Sequence, residues 1–231
     1  MCARPLEHEI EYPDSDGQPM AETTLHREVM SDLIEGLVRR YAAVPDVWVG
    51  GNLFLYYRKG RQDKVAPDVL VARGVSKWKR NTYLLWEETV PVLIFEITSR
   101  GTRDEDTGDK KALDERLGVE ELVLFDPYGE YLEPRLQGYR LERGRYRPIS
   151  PGRDGSLSLR TTGVTARPEG ERLRLVDAAT GEKLLWNDEL EGARQVAEER
   201  AAAAEQRAAA AEERAQALAE ELARLQRKSK L

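Results

Sequence analysis

The order of elements along the sequence predicts an α/β chain, a mixed sheet flanked by helices, with a long Ala/Glu/Arg-rich helix at its C-terminal side. Three observations carry this. Short runs of β-branched and aromatic residues recur through residues 25–190 between helical and turn patterns. A strand, loop, helix, strand succession occupies residues 90–127, and seven-residue repeats fill residues 197–224.

Residues 1–20 are polar, contain Pro13 and Gly17, and are expected as an N-terminal arm. A helix follows. Thr23 or Thr24 can cap it, and Val29, Leu33, Ile34, Leu37, Val38 and Tyr41 recur at helical spacing on one face until Pro45 ends it. VWVGGNLFLYY (residues 47–57) reads as one or two strands broken at Gly50 and Gly51. RKGRQDK (58–64) is a basic turn leading into the apolar run VAPDVLV (65–71), which predicts a hairpin. GVSKWKRNT (74–82) reads as a loop or short helix, and VPVLIFEITS (90–99) as a buried strand.

After a loop over residues 99–108, DKKALDERLGV (109–119) places Leu113 and Leu117 one turn apart, with Gly118 as the C-terminal cap. ELVLFDP (121–127) is another buried strand. This succession requires a crossover, and so a locally parallel pairing with ligands gathered at strand ends. From residue 128 to 186 short alternating segments (LQGYRL, SLSLR, RLRLVD) separated by Gly and Pro turns predict antiparallel hairpins that extend the sheet or cover one face. The folded domain is expected over residues 21–190, with residues 191–231 as a helical coiled-coil tail.

In the tail, Leu190, Ala197, Ala204, Ala211, Leu218 and Leu225 fall at one core position of a heptad, and Ala201, Ala208, Ala215 and Leu222 at the other. Glu and Arg fill the flanks. An alanine seam buries little apolar area, so association is expected to be weak until the Leu-bearing end. The helix serves either a homodimer or a partner protein, or it stands alone as a solvated helix of strong helix formers.

Bulk properties narrow the function. The 231 residues allow one sizeable domain plus an appendage, and 40% hydrophobic content suffices for a core. Mean hydropathy of -0.62 shows that some segment contributes little to that core. The single cysteine, Cys2, excludes a disulfide framework and a cysteine zinc site, which fits a reducing cytoplasm. No apolar stretch approaches the roughly 18 residues of a membrane span, and the N-terminal residues lack the apolar core of a signal peptide. A cytoplasmic protein without a membrane partner is expected. A net charge of -6 argues against coating nucleic acid by charge alone, so phosphate contacts must come from local basic patches.

Asp68 and Glu96 lie inside apolar runs. Burying an ionised carboxylate without a partner costs several kcal/mol, so each needs a cation, a donor or a raised pKa. Two of them on neighbouring strand ends suggest a divalent metal. The alternatives are Asp68 capping a turn and Glu96 held in a buried ion pair with Arg103 or Lys110. Ser99 and Thr102 read as loop-forming hydroxyls, since no Ser-His-Asp order accompanies them, and Asp126 before Pro127 as a turn former. The basic residues Arg58, Lys59, Arg61 and Lys64, with Lys77, Lys79 and Arg80, flank the site in sequence near Trp78, Tyr83 and Trp86. They can grip a nucleic-acid backbone, or they are ordinary solvated loops.

The ordered set Pro67-Asp68, Glu96-Ile97-Thr98-Ser99, Thr102-Arg103-x-x-Asp106 and GDKKxL at 108–113 resembles the bacterial Uma-type restriction endonucleases of the PD-(D/E)XK nuclease superfamily. The resemblance covers roughly residues 25–190 and includes LGVEELVLFDP at 117–127. It implies a restriction-endonuclease-like core and a Mg²⁺-dependent endonuclease acting on nucleic acid, with DNA the expected substrate. Asp68, Glu96 and the Ile97 carbonyl would bind Mg²⁺, for which Mn²⁺ can substitute, and Lys110 would position water. His26, Ser99 and Asp106 match further family positions, and Lys111 is the alternative to Lys110. The chain departs from the simplest superfamily pattern at Thr98, where a lysine would follow Glu96 by two; the resemblance places that lysine on the next helix instead. Arg100-Gly101, Asp114 and Leu122-Val123 depart too. Two other classes compete: a catalytically silent adaptor recruiting a partner through its C-terminal helix, and a non-nuclease metal hydrolase on the same scaffold.

Overall fold

The structure, a computed structural model, describes residues 10–15, 17 and 23–228, with side chains through residue 219. It divides into two compact units, Met1–Trp186 and Asn187–Leu231. The expected arm at residues 1–20 lies largely outside the described residues. Its described part is anchored: Tyr12 packs its ring on Tyr56 and Trp86, and the Tyr56 hydroxyl donates to the Pro13 carbonyl at 2.7 Å.

Helix α1 spans Thr24–Arg40 and is capped by Thr23, whose hydroxyl accepts the His26 N–H at 3.1 Å. It buries Val29, Leu33 and Leu37, but Val38 is left exposed, one step off the apolar stripe. Strand β1 (Val47–Gly50) and β2 (Phe54–Tyr56) are divided at the predicted glycines. β3 (Lys64–Val65) forms a hairpin with β2 across a seven-residue turn, whereas β4 (Val69–Arg73) pairs antiparallel with β1. The chain after β4 contains a short strand that the sequence reading leaves as loop or helix, β5 (Thr82–Leu84), parallel to β2. Three residues are too few for a periodic signal, and they are held by the β2 partner and by Tyr83, which is buried in the core.

β6 (Leu93–Ile97) follows, starting later than expected because Pro91 cannot donate to a ladder. Residues 99–108, expected as loop, contain helix α2 (Arg103–Thr107). It has no apolar stripe, and Asp104, Glu105 and Asp106 in its first turn complement the helix dipole. α3 (Asp109–Leu117) ends at Gly118 in the left-handed region, φ 91°, as the sequence predicts. β7 (Glu121–Phe125), β8 (Leu136–Glu142) and β9 (Arg145–Pro148) complete a six-stranded sheet of order β1-β4-β6-β7-β8-β9. Its β6–β7 pair is parallel and its other pairs are antiparallel. β10 (Leu157–Leu159), β11 (Val164–Glu169) and β12 (Arg172–Asp177) form a separate antiparallel sheet.

The strand period of two divides the large sheet's side chains between two cores. Val69, Val71, Phe95, Ile97 and Val123 face α1 and the β10–β12 sheet. Leu70, Ile94, Leu122 and Leu124 face Leu55, Tyr83 and Val119. Asp68 and Glu96 share the parity of Leu70 and Ile94, so they belong to the second face. The second unit is helix α4, Asn187–Lys228, a continuous helix of 42 residues. Among the described residues no helix is long and apolar enough to cross a membrane.

Gly51 ties the fold to the second face. A Cβ there would stand 1.8 Å from the Asp68 carbonyl oxygen, so the backbone entering β4 lies against that glycine. Gly51→Ala is expected to cost about 1–3 kcal/mol, as for other overpacked sites, measured by urea denaturation. Gly192→Ala, inside α4 with no atom near its Cβ, should instead stabilise its helix in the same assay, by up to about 1 kcal/mol.

Candidate active site

The site begins where three elements meet. The Thr23 cap puts His26 in the first turn of α1, and its Nε2 lies 3.1 Å from Asp68 Oδ1. Asp68 immediately precedes β4 and sits beside the end of β6. Its Oδ2 accepts the Ile97 N–H at 2.6 Å, so both carboxylate oxygens are oriented by the protein. The Asp68 N–H in turn points at Glu96 Oε2, 3.4 Å away.

Glu96 is buried in the middle of the large sheet, opposite Leu124 of β7. Lys110, in the first turn of α3, reaches Glu96 Oε2 at 3.4 Å and Asp106 Oδ1 at 3.1 Å. Asp106 comes from α2, and the tight passage at Gly108 holds the two short helices together. A Cβ there would lie 2.6 Å from the Asp104 carbonyl oxygen. Ser99 and Thr102 shape the preceding turn: Thr102 Oγ1 accepts the Ser99 N–H at 3.1 Å and lies 3.2 Å from its hydroxyl. Thr98, on the Glu96 side of the strand by parity, is buried, its hydroxyl has no partner among the described residues, and it carries no charge to offset Glu96.

Electrostatically the site is acid-rich. Burial pushes the Glu96 carboxyl well above the usual range; Lys110 opposes this, while Asp68, Asp106 and Asp114 add to it. Burial works against the Lys110 charge, but Glu96, Asp106 and Asp68 outweigh it and hold the ammonium above its ordinary value. Asp114, one turn along α3, is pushed up to about 7 by burial, with Lys110 opposing. Burial also raises the nearby Tyr146 hydroxyl, reinforced by Asp114 and Glu115. Asp106 Oδ2 is buried without a hydrogen-bond partner, and Glu96 Oε1 accepts no hydrogen bond among the described residues. Four carboxylates therefore gather around one lysine and one histidine.

The structure brings together Asp68, Glu96, Lys110, His26 and Asp106. His26 and Asp106, given in the sequence only by the resemblance, are both buried here, His26 against Asp68 and Asp106 against Lys110. Asp114 was visible only as a departure from a pattern; its signal was an acid four residues after Lys110, beside the buried Leu113. Lys111 is not at the site, since its Nζ lies 3.5 Å over the Tyr139 ring. Asp126 is the turn former expected, accepting the N–H groups of Tyr128, Tyr131 and Leu132.

The basic residues separate in space. Lys64 lines a cleft of about 530 Å³ together with Lys110, Arg116, Phe54 and Tyr57, and its Nζ lies 3.7 Å over the Phe54 ring. Lys59 and Arg61 are exposed on the turn before β3, where Arg58 pairs with Asp63 at 3.2 Å. Lys77 and Lys79 follow the far end of β4. Lys77 donates to the carbonyls of Tyr41 and Ala42 at the C-terminal end of α1, about 22 Å along the helix from His26. Proximity in sequence does not bring those two lysines to the site.

Residues 1–167 match the family Uma2, described as "Putative restriction endonuclease". No curated protein matches the chain. Among solved structures, a crystal structure from Anabaena variabilis ATCC 29413, described as "a putative nuclease belonging to DUF820", is similar at 16% identity and a TM-score of 0.46. The match covers 62% of this chain and 76% of that one.

A carboxyl whose pKa is raised on folding binds more protons in the native state, so its stabilising contribution is lost as pH rises through the folded value. For Asp114 that window runs from the ordinary 3.8 to about 7. Asp114→Asn should therefore melt at nearly the wild-type temperature near the bottom of this window and progressively higher than wild type above it. Melting curves by circular dichroism across the window check this, and a pH-independent difference would contradict it.

Proposed function

The chain belongs to the Uma2 family, described as putative restriction endonucleases, and from that membership we propose that it is a divalent-metal-dependent endonuclease of the PD-(D/E)XK type. Its substrate is nucleic acid, with DNA the first to test. The observation that carries this reading is the convergence of Asp68, Glu96 and Lys110 on one atom: Glu96 Oε2 receives both the Asp68 N–H and the Lys110 ammonium.

Mg²⁺ suits this donor set. Among the described residues no three His, Cys, Asp or Glu side chains form a ready cage, but Mg²⁺ needs only one or two carboxylates because it keeps several waters. Asp68 and Glu96 would hold it, with the Ile97 carbonyl, which leaves its strand on the same side as the N–H bonded to Asp68. The unpaired Glu96 Oε1 and the excess of buried acid fit a cation, and Mn²⁺ fits the same oxygens. When bound, the cation supplies charge neutralisation at the phosphoryl group and acidifies water.

The chain's own residues do the rest. His26 and the Ile97 N–H orient the Asp68 carboxylate. Lys110, held protonated by its acidic neighbours, acts as a hydrogen-bond donor to the attacking water or a phosphoryl oxygen, not as a base. Asp106 aims that ammonium. Lys64 and Arg116 offer charge to the phosphates of a strand lying in the cleft beside Lys110.

Purified protein with Mg²⁺ or Mn²⁺ is expected to cleave plasmid DNA, single-stranded DNA or RNA. Glu96→Gln and Lys110→Ala should each reduce cleavage at least about 10²-fold, the scale for losing a group that stabilises transition-state charge. Asp106→Asn, acting through Lys110, should lose less. Glu96→Gln keeps an oxygen that can accept the Asp68 N–H, and Lys110 keeps Asp106, so circular dichroism should show a folded, less stable protein. Absence of cleavage on every substrate with either cation, together with unchanged Mn²⁺ affinity in Glu96→Gln, would falsify the assignment.

A further inference from the structure

Three arginines in the middle of α4 do not serve the helix that carries them. Single helices are stabilised by opposite charges three or four residues apart. In Asn187–Lys228 the described ion pair is Arg194 with Glu198, at 2.8 Å. Arg200, Arg207 and Arg214 have only alanine or another apolar residue three and four positions away in either direction. All three are exposed, and none makes an ion pair among the described residues. A helix evolved to stand alone in water would not space its charges this way.

The spacing that does recur is five residues, from Arg200 to Glu205 and from Arg207 to Glu212. With Ala201, Ala208 and Ala215 at a, and Ala204, Ala211 and Leu218 at d, the arginines fall at g and the glutamates at e. In a parallel pair of helices, g of one chain meets the e position five residues on in the other. Arg200 then faces the second copy's Glu205, and Arg207 the second copy's Glu212, each twice by symmetry. In an antiparallel pair, g meets g and e meets e, which sets Arg against Arg and Glu against Glu. The leucines choose the register. Leu190 and Leu218, both exposed in the single chain, each meet their own copy when the helices are level. A slip of one heptad sets Leu190 against Ala197 instead.

From this we infer that α4 is the interface of a parallel, in-register homodimer. The charge pattern chooses the partner and its direction, and the narrow alanine seam keeps the association moderate. Parallel pairing brings the two Asn187 ends together, whereas antiparallel pairing would hold them up to about 60 Å apart. The inference is independent of the endonuclease reading and survives its failure.

The test uses the full chain. Sedimentation equilibrium should give twice the 26.2 kDa chain mass, with a dissociation constant that rises about tenfold or more at high salt. Arg200→Glu with Arg207→Glu should be monomeric, and so should Glu205→Arg with Glu212→Arg, while their equimolar mixture should dimerise. In a Cys2→Ser background, Ala197→Cys and Ala211→Cys should each cross-link to its own copy under mild oxidation, and a mixture should give little cross-link between the two positions. Monomer mass at every concentration overturns the dimer. Cross-linking that favours the mixed pair overturns the parallel register.

Discussion

A carboxylate in the centre of a sheet is the constraint from which the rest of this structure follows. Glu96 occupies a strand whose five residues are all buried, so its carboxylate is largely withdrawn from bulk water. Its Oε2 meets the Asp68 N–H and the Lys110 ammonium instead. Removing one partner of such a buried pair typically costs about 3–5 kcal/mol. The entry into β4 and the first turn of α3 must therefore both be present for β6 to fold as it does.

That requirement spreads outward through the backbone. β4 approaches Gly51 closely because Asp68 must stand beside β6, and the α2–α3 passage is tight because Asp106 and Lys110 share one side. α1 contributes from the other core: its Leu33 and Leu37 anchor it on the first face while its N-terminal turn delivers His26 over the strand end. Two hydrophobic cores thus act as the two jaws of one polar site. The acids exceed the cations there, which is unfavourable for stability, and in the proposed endonuclease a bound hard cation offsets that excess.

The C-terminal helix follows a different logic. It has no core of its own, and Ala, Glu and Arg make it helical by propensity alone. Its charges recur at a spacing of five residues instead of three or four, and the inferred homodimer rests on that phase. Nothing in the Glu96 site demands it, and the two units solve separate problems.

Much of this was legible in the sequence. Thr23 and Gly118 marked helix ends because a hydroxyl cap and a left-handed glycine answer to local backbone geometry. Asp68 and Glu96 stood out because charge inside an apolar run has a cost that needs no fold to state; that both lie on one face followed only from the β4–β6 register, which sets Leu70 opposite Ile94. The resemblance already preferred Lys110 to Lys111, but the turn of Lys111 onto Tyr139, the burial of Asp106 and Asp114, and the delivery of His26 were decided only by the tertiary structure. Each depends on which turn of which helix lies against the end of β6, a distance between residues far apart in the chain. Local composition carries no record of that distance, which is why Lys77, close to the site in sequence, ends about 22 Å down α1 from His26 while Lys64 shares a cleft with Lys110.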